Sequence, residues 1–467
     1  MKADFTRNTF DPQKNFLRVL MQQGRVQLDA DFNEQISILL NYMQTLAADL
    51  IGPHGGPEHD CGFKIIWSQV DIPKEEEEPL EEKLKQLGQG DFLIGKGRYY
   101  VDGLLCENEH YVPYTQQLDP SVAKELDPDG YHLVYLDVWE RHVTAIEDGD
   151  IREVALGGPD TATRSALVWQ VRHLPLEQGD VQGEVEPDYD KLLRAKLGDL
   201  RRPGRGKLSA RLHPAQVADE HCIIPPGSRY RGTENQLYRV EIQRPGAAFR
   251  EEGGYGAASG VATFKWSRDN GSVAFPIVRL SGVRAELEGL GRDSRRTLEP
   301  GDWVEVMDDD LTKQDLSGPL FRVDEVDPLE QTVTLGVPPG TDPPPSRDAN
   351  GGKHPLLRRW NSPGGVQTAQ ATNDGWIHLE DGIEVRFEGD GFQVGDYWLI
   401  PARTATGDIQ WPLEPPDPPN GQWQPKAVGP HGVTHHYAPL AVIVPGDTNR
   451  VVHCRYEFAP LRVPIPS

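Results

Sequence analysis

Apolar residues in the opening stretch of the chain recur with the period of a helix. Phe32, Leu39 and Leu46 are seven residues apart, and so are Ile36, Met43 and Leu50. The alternating spacings of four and three set all six on one stripe, as a helix packed lengthwise against another surface requires. The pattern predicts a helix over Phe32–Leu50, with Asp29 or Asp31 capping its start and Glu34 three residues beyond Asp31. Gly52-Pro53 predicts its end, because glycine takes the left-handed turn and proline cannot continue the ladder. Ahead of it, Met1–Gln23 reads as a polar arm with one proline, expected to stay loose until a partner orders it. The simpler expectation is that the stripe lies on the chain's own body. The alternative is docking of arm and helix on another subunit, with Phe32, Ile36, Leu39, Met43, Leu46 and Leu50 at the contact.

Beyond the helix the period changes to two. Phe63–Val70 predicts a short strand, the KEEEEPLEEKLKQLGQG run an exposed loop or short helix, and DFLIGKGRYYVDGLLCENE a hairpin. Tyr131–Ile146 predicts a long strand with Tyr135, Asp137, Trp139 and Arg141 on one face, where Asp137 and Arg141 flank Trp139 for an ion pair and a cation–π contact. A helix is expected over Asp188–Leu197, and strands over Leu237–Ile242, Gly260–Ser267 and Ser272–Leu280. Asn270-Gly271 predicts a tight hairpin joining the last two, since both residues tolerate positive φ. Trp376–Ile400 and Tyr437–Val452 supply the final strands. Gly-Asp-aromatic triplets at Gly90, Gly301 and Gly395 suggest strand-opening turns or, alternatively, repeated small barrel or sandwich modules, although no fixed repeat period accompanies them.

The resulting fold class is mainly β: multidomain antiparallel sandwich- or barrel-like modules with an N-terminal arm and one long amphipathic helix. The expected segments are 1–62 (arm and helix), 63–173 (β domain with the acidic insertion), 174–226 (irregular, with a basic cluster), 227–340 (β domain), 341–375 (loop) and 376–467 (C-terminal β domain). A chain of 467 residues with 48 glycines and 40 prolines suits many short strands. A net charge of -24 argues against nucleic acid and anionic lipid as partners. There is no long apolar run for membrane insertion and no apolar leader near Met1, so a cytoplasmic protein is expected. Cys61, Cys106, Cys222 and Cys454 form no CxxC pair, which speaks against a zinc ribbon and for reduced thiols.

MKADFTRNTFDP followed by FLRVLMQQGRVQLDADFNEQ resembles the N-terminus of an uncharacterised bacterial family encoded with phage-tail-like contractile injection systems. Further likenesses lie in YLDVWERHVTAIED, LGGPDTATR, VWQVR, ATFKWSRDNGSV and GDYWLIPARTATG. The resemblance implies a structural or accessory part of such a particle, at its baseplate or periphery. Other particle subunits or further copies of the chain would be its partners, and release from the cell would occur as part of the particle. It implies no catalytic residues.

Residues that might suggest chemistry carry weak signals. Asp137 and Glu140 fall on nearly opposite strand faces, which argues against a paired-carboxylate site. The Gly253–Gly260 run leads into a strand rather than a helix, and Glu251 and Glu252 precede it, so it lacks the setting of a phosphate loop. His431, His435 and His436 sit in a loop entering a strand, and Asp308-Asp309-Asp310 closes another. The basic run with Arg201, Arg202, Arg205, Lys207 and Arg211 reads as a solvated loop, or as a dock for an acidic neighbour or a second copy. No catalytic residue, cofactor or metal ligand is assigned. The leading function is a non-enzymatic assembly protein of a contractile particle. A carbohydrate-binding fibre, using Trp360, Trp376, Trp398, Trp411 and Trp423, and a glycan hydrolase remain as alternatives.

Overall fold

The computed structural model describes residues 1–460 except 73–76, 118–125, 128, 182–187, 201–205, 214–228, 249–259, 292–295, 315, 363–366, 370–374, 416–422 and 446–449. The protein is mainly β, with 40% strand against 18% helix. Among the named strands every pairing is antiparallel but one, in which Gly56 lies beside Glu457 in parallel.

Three β bodies are nested along the chain. The outermost joins the early strands to the last ones. Its four-stranded sheet runs Arg450–His453, His435–Val444, Tyr131–Val143, Arg164–Leu176, and a second has His54–Pro57 between Glu457–Phe458 and Gly97–Val101. Phe63, Phe92, Tyr99, Leu136, Val171 and Leu440 share the core between them. Helix Tyr189–Leu200 closes the outer face of the long sheet through Leu193 and Leu197.

The middle body pairs Gln236–Arg244 with both Thr263–Ser267 and Tyr397–Arg403. It packs this sheet on Ile377–His378, Ile383–Glu388 and Lys207–Leu212 around Tyr238, Trp266, Phe387 and Trp398. The innermost body is a closed barrel. Ala274–Ser281, Arg284–Leu287, Thr332–Gly336, Leu320–Asp327, Trp303–Met307 and Leu356–Trp360 pair in a ring that returns to its first strand. Closure leaves no free edge in that ring, which is how small β folds avoid edge-to-edge association.

This nesting corrects the predicted hairpin. Thr263–Ser267 and Ala274–Ser281 do not pair; the first stays in the middle body and the second enters the barrel. Asn270 and Gly271 do adopt φ of 52° and 65°. The turn is therefore formed but serves as the crossing between two bodies. Strands from the 376–467 segment likewise divide, those up to Ile409 joining the middle body and those from His435 joining the outermost.

Other expectations shift in detail. The strand predicted over Phe63–Val70 is only Ile65–Ile66, since Phe63 has a φ of 59° and a short 3-10 turn takes Gln69–Asp71. The acidic insertion forms the helix Glu77–Lys85. Tyr131–Val143 and the hairpin Gly97–Val101/Leu104–Asn108 follow the sequence pattern closely. In all three Gly-Asp-aromatic triplets the glycine has positive φ and the aspartate amide donates to the carbonyl three residues back. That is turn chemistry, with no larger repeat needed.

Candidate interaction surface

The long helix, α1, spans Asp29–Ile51 and is the longest of the described helices. Neither predicted cap forms. Leu28 occupies the N-cap position without a side-chain bond, and Asp29 instead accepts hydrogen bonds from the backbone amide and hydroxyl of Thr6. Gly52, at φ 95°, ends the helix as expected, its amide donating to Ala48.

The orientation of α1 inverts the usual rule. Its body-facing side buries Ala30 and one large apolar side chain, Ile38, and half-buries the small or polar Ser37, Gln44, Ala47 and Ala48. The approach there is close, because a Cβ on Gly103, the hairpin-turn glycine, would lie 2.1 Å from the Gln44 carbonyl. The apolar stripe points the other way. Phe32 is 70% exposed, Leu50 63% and Met43 56%, with Ile36, Leu39 and Leu46 between 41% and 49%. The stripe therefore does not lie on the chain's own body, which corrects the simpler expectation. Burial of six such side chains would contribute on the order of 5–10 kcal/mol beyond what the isolated chain realises.

The arm divides into two unlike parts. Met1–Ala3 is inserted between the middle body and the barrel, so this part is not loose. The Lys2 ammonium lies 2.9 Å from Glu241, and the Asn270 side-chain amide donates to the Ala3 carbonyl at 2.9 Å. Around them is a buried ionic network. Lys265 donates to Glu305 at 2.7 Å and sits 4.5 Å over the Trp360 ring, whose indole N–H donates to Glu305 at 2.8 Å. Arg239 donates to Glu241 at 2.6 Å and stacks at 3.5 Å on Tyr397. Burial would raise the Glu241 carboxyl, but Lys2, Arg239 and Lys265 outweigh it and hold the group well below the usual carboxylate range. Thr6, Thr9 and Val19 then tie the arm along α1, with Thr9 donating to Glu34 at 2.5 Å and the Val19 amide to Gln35 at 2.9 Å. From Phe16 to Leu28 the apolar side chains again face outward.

The other sequence candidates resolve into local structure. Asp137 is buried between Arg172 at 2.9 Å and His435 at 2.6 Å, while Arg141 pairs with Glu147. The expected Asp137–Arg141 pairing thus gives way to cross-strand partners, which register supplied and sequence neighbours did not. His436 bonds Asp102, and His431 packs against Tyr397. Asp308 caps a short helix through the Leu311 amide and meets Arg347, Asp309 meets His354, and Asp310 meets Lys353. Each carboxylate has its own side-chain partner, and no cluster able to hold a metal ion occurs among the described residues. Trp360, Trp376 and Trp398 are buried, and Trp423 is exposed. Arg211 stacks on Trp376 and donates to Glu384. Arg201, Arg202, Arg205, Cys222 and most of the Gly253–Gly260 run lie outside the described residues. Cys61 and Cys106 are free thiols, and burial pushes Cys61 up to about 11 and Cys106 to about 12; the Cys454 thiol donates to the Val452 carbonyl.

Sequence reasoning missed one cavity, of about 680 Å³, between the start of helix Tyr189–Leu200 and residues His453–Tyr456. Asp190 at its wall accepts from His54 at 2.8 Å, and the other His54 nitrogen bonds the Tyr99 hydroxyl at 2.8 Å. Both ring nitrogens are hydrogen-bonded, so His54 ties the helix to the sheet. Nothing local in the sequence marks this pair, since 136 residues separate its members.

Fold and surface together define a mainly β protein of nested bodies that displays an apolar helix outward. No helix among the described residues is long and apolar enough to cross a membrane. Residues 1–196 and 183–463 match a family of unknown function, DUF6519, and the chain belongs to that family. Comparison with curated proteins and with solved structures gives no match.

Proposed function

We propose that this protein is a non-enzymatic structural or accessory component of a phage-tail-like contractile injection particle, attached at its baseplate or periphery through the outward face of α1. The observation that carries the docking is the inverted helix: Ala30, Ser37, Gln44 and Ala48 are turned to the body while Phe32, Leu39, Met43 and Leu50 face outward. The sequence resemblance to the injection-system family supplies the particle. An apolar surface of this kind on a folded chain marks a site of association.

The test is a Leu39→Asp/Leu46→Asp variant expressed in cells that make the particles, followed by sedimentation of the particles and quantitation of this chain in them. Charge on the stripe is expected to remove the chain from the particles while far-UV circular dichroism stays β-rich. Normal incorporation of the variant would refute the docking role, and absence of the wild-type chain from purified particles would refute the assignment to them. Truncation to Gly52 is a poorer test, because it also removes Lys2 and Ala3 from between the bodies.

A further inference from the structure

We propose that the partner covering the outward face of α1 is a second copy of this chain, paired antiparallel about Asn41. The inference rests on the docking reading above and names the occupant.

Its first support is area. Fourteen large apolar residues between Phe16 and Leu50 are 41% to 87% exposed. Together they present on the order of 1,000 Å², more than the roughly 300–600 Å² patch of a typical monomer and close to the about 800 Å² per partner of a standard interface.

The second support is self-complementarity. The stripe spacings read 4, 3, 4, 3, 4, the same in both directions about position 41. An antiparallel pair therefore sets Leu39 against Met43, Ile36 against Leu46 and Phe32 against Leu50, with no stripe residue unmatched. A two-fold contact demands that symmetry of a single surface, and spacings of this kind pack as knobs into holes.

Charge fixes the direction. Helix α1 carries Asp29, Asp31, Glu34 and Asp49 and no Lys or Arg, whereas the segment 12–28 carries Lys14, Arg18 and Arg25 and no Asp or Glu. The Val19–Gln35 hydrogen bond holds that exposed basic segment beside the N-terminal half of its own helix. In the antiparallel pair, Gln35 of one copy falls opposite Ala47 of the other, two residues before Asp49. Arg18 and its neighbours then approach the C-terminal end of the other helix, where Asp49 lies and the helix dipole favours cations. A parallel pair would instead bring the two basic segments together, and would leave each dipole-favoured C-terminal end without a cation from the other copy.

Sedimentation equilibrium of the purified full-length chain at micromolar concentration is expected to give twice 52.0 kDa. The Leu39→Asp/Leu46→Asp variant is expected at 52.0 kDa, with an unchanged far-UV spectrum. Under mild oxidation, an Ile36→Cys/Leu46→Cys double variant should form covalent dimers well above the wild-type background of native thiols, and Leu39→Cys alone should not. A wild-type chain that sediments as a single copy overturns the proposal. So does a Leu39→Cys variant that cross-links more readily than the double variant, since that result means parallel pairing. The two readings fail separately. A single-copy wild type whose Asp variant still drops out of particles keeps the docking role and loses the second copy. A dimer whose Asp variant dissociates yet enters particles normally does the reverse.

Discussion

Residues Met1–Ala3 and the stripe of α1 lie within the same opening segment and reverse each other's chemistry. Lys2 is charged and sits against Glu241, which is 1% exposed; Phe32 is aromatic and 70% exposed. The lysine is tolerated inside because Glu241 already needs compensation and the Asn270 amide satisfies the neighbouring carbonyl. The phenylalanine stays outside because the helix meets the body on the opposite side, through Ala30, Ile38 and the Gln44 backbone, which approaches Gly103 too closely for a side chain at 103. Polarity alone therefore does not decide burial here. The available partner decides it, and the exposed apolar face has none within the described residues of the single chain.

The comparison can be broken most severely at the ionic network. Lys265→Met leaves Glu305 and Glu241 short of a buried cation, and unfolding in urea should show a loss of about 3–5 kcal/mol. A loss below about 1 kcal/mol would mean that the network is not a buried ionic joint. Lys2→Met should cost less, about 1–3 kcal/mol, because Glu241 keeps Arg239 at 2.6 Å and Lys265 at 3.4 Å. An unchanged denaturation midpoint would show that the arm merely rests on the body.

Acid should loosen the bodies before it touches the stripe. Burial, reinforced by nearby cationic groups, lowers His142 to about 3, and burial lowers His173 and His453 to about 4. Below the ordinary histidine value near 6.5 the unfolded chain takes up protons that the folded chain refuses. The stability these groups contribute is complete above pH 6.5 and is lost as pH falls from there toward 4. Glu241, also depressed, adds its loss only below the ordinary carboxylate range. Urea midpoints measured across this interval should fall continuously, and a His173→Gln variant should show a shallower fall. A flat profile for the wild type would contradict the buried neutral histidines.

The smallest expected effect sharpens the contrast from the other side. In protein dilute enough to be single chains, Leu39→Asp/Leu46→Asp should change stability by no more than about 0.5 kcal/mol per site, as for other exposed positions. A loss of several kcal/mol would mean that the stripe belongs to the protein's own core.

Local order alone determined a good deal of this protein. The 4–3 spacing set α1 within three residues of its ends, Gly52 stopped it, period-two alternation placed Tyr131–Val143, and Asn270-Gly271 turned as its residue types demand. These features follow from dihedral preferences and side-chain periodicity, which a short stretch of chain carries by itself. Tertiary structure decided the rest: which side of α1 meets the body, that Asn270-Gly271 joins two bodies and pairs no strands, and that Asp137 chooses Arg172 and His435 over Arg141. It also decided that Lys2 lies against Glu241, 239 positions along the chain. Each of these choices depends on groups far apart in sequence, and periodicity carries no record of which distant surface arrives to meet a given face.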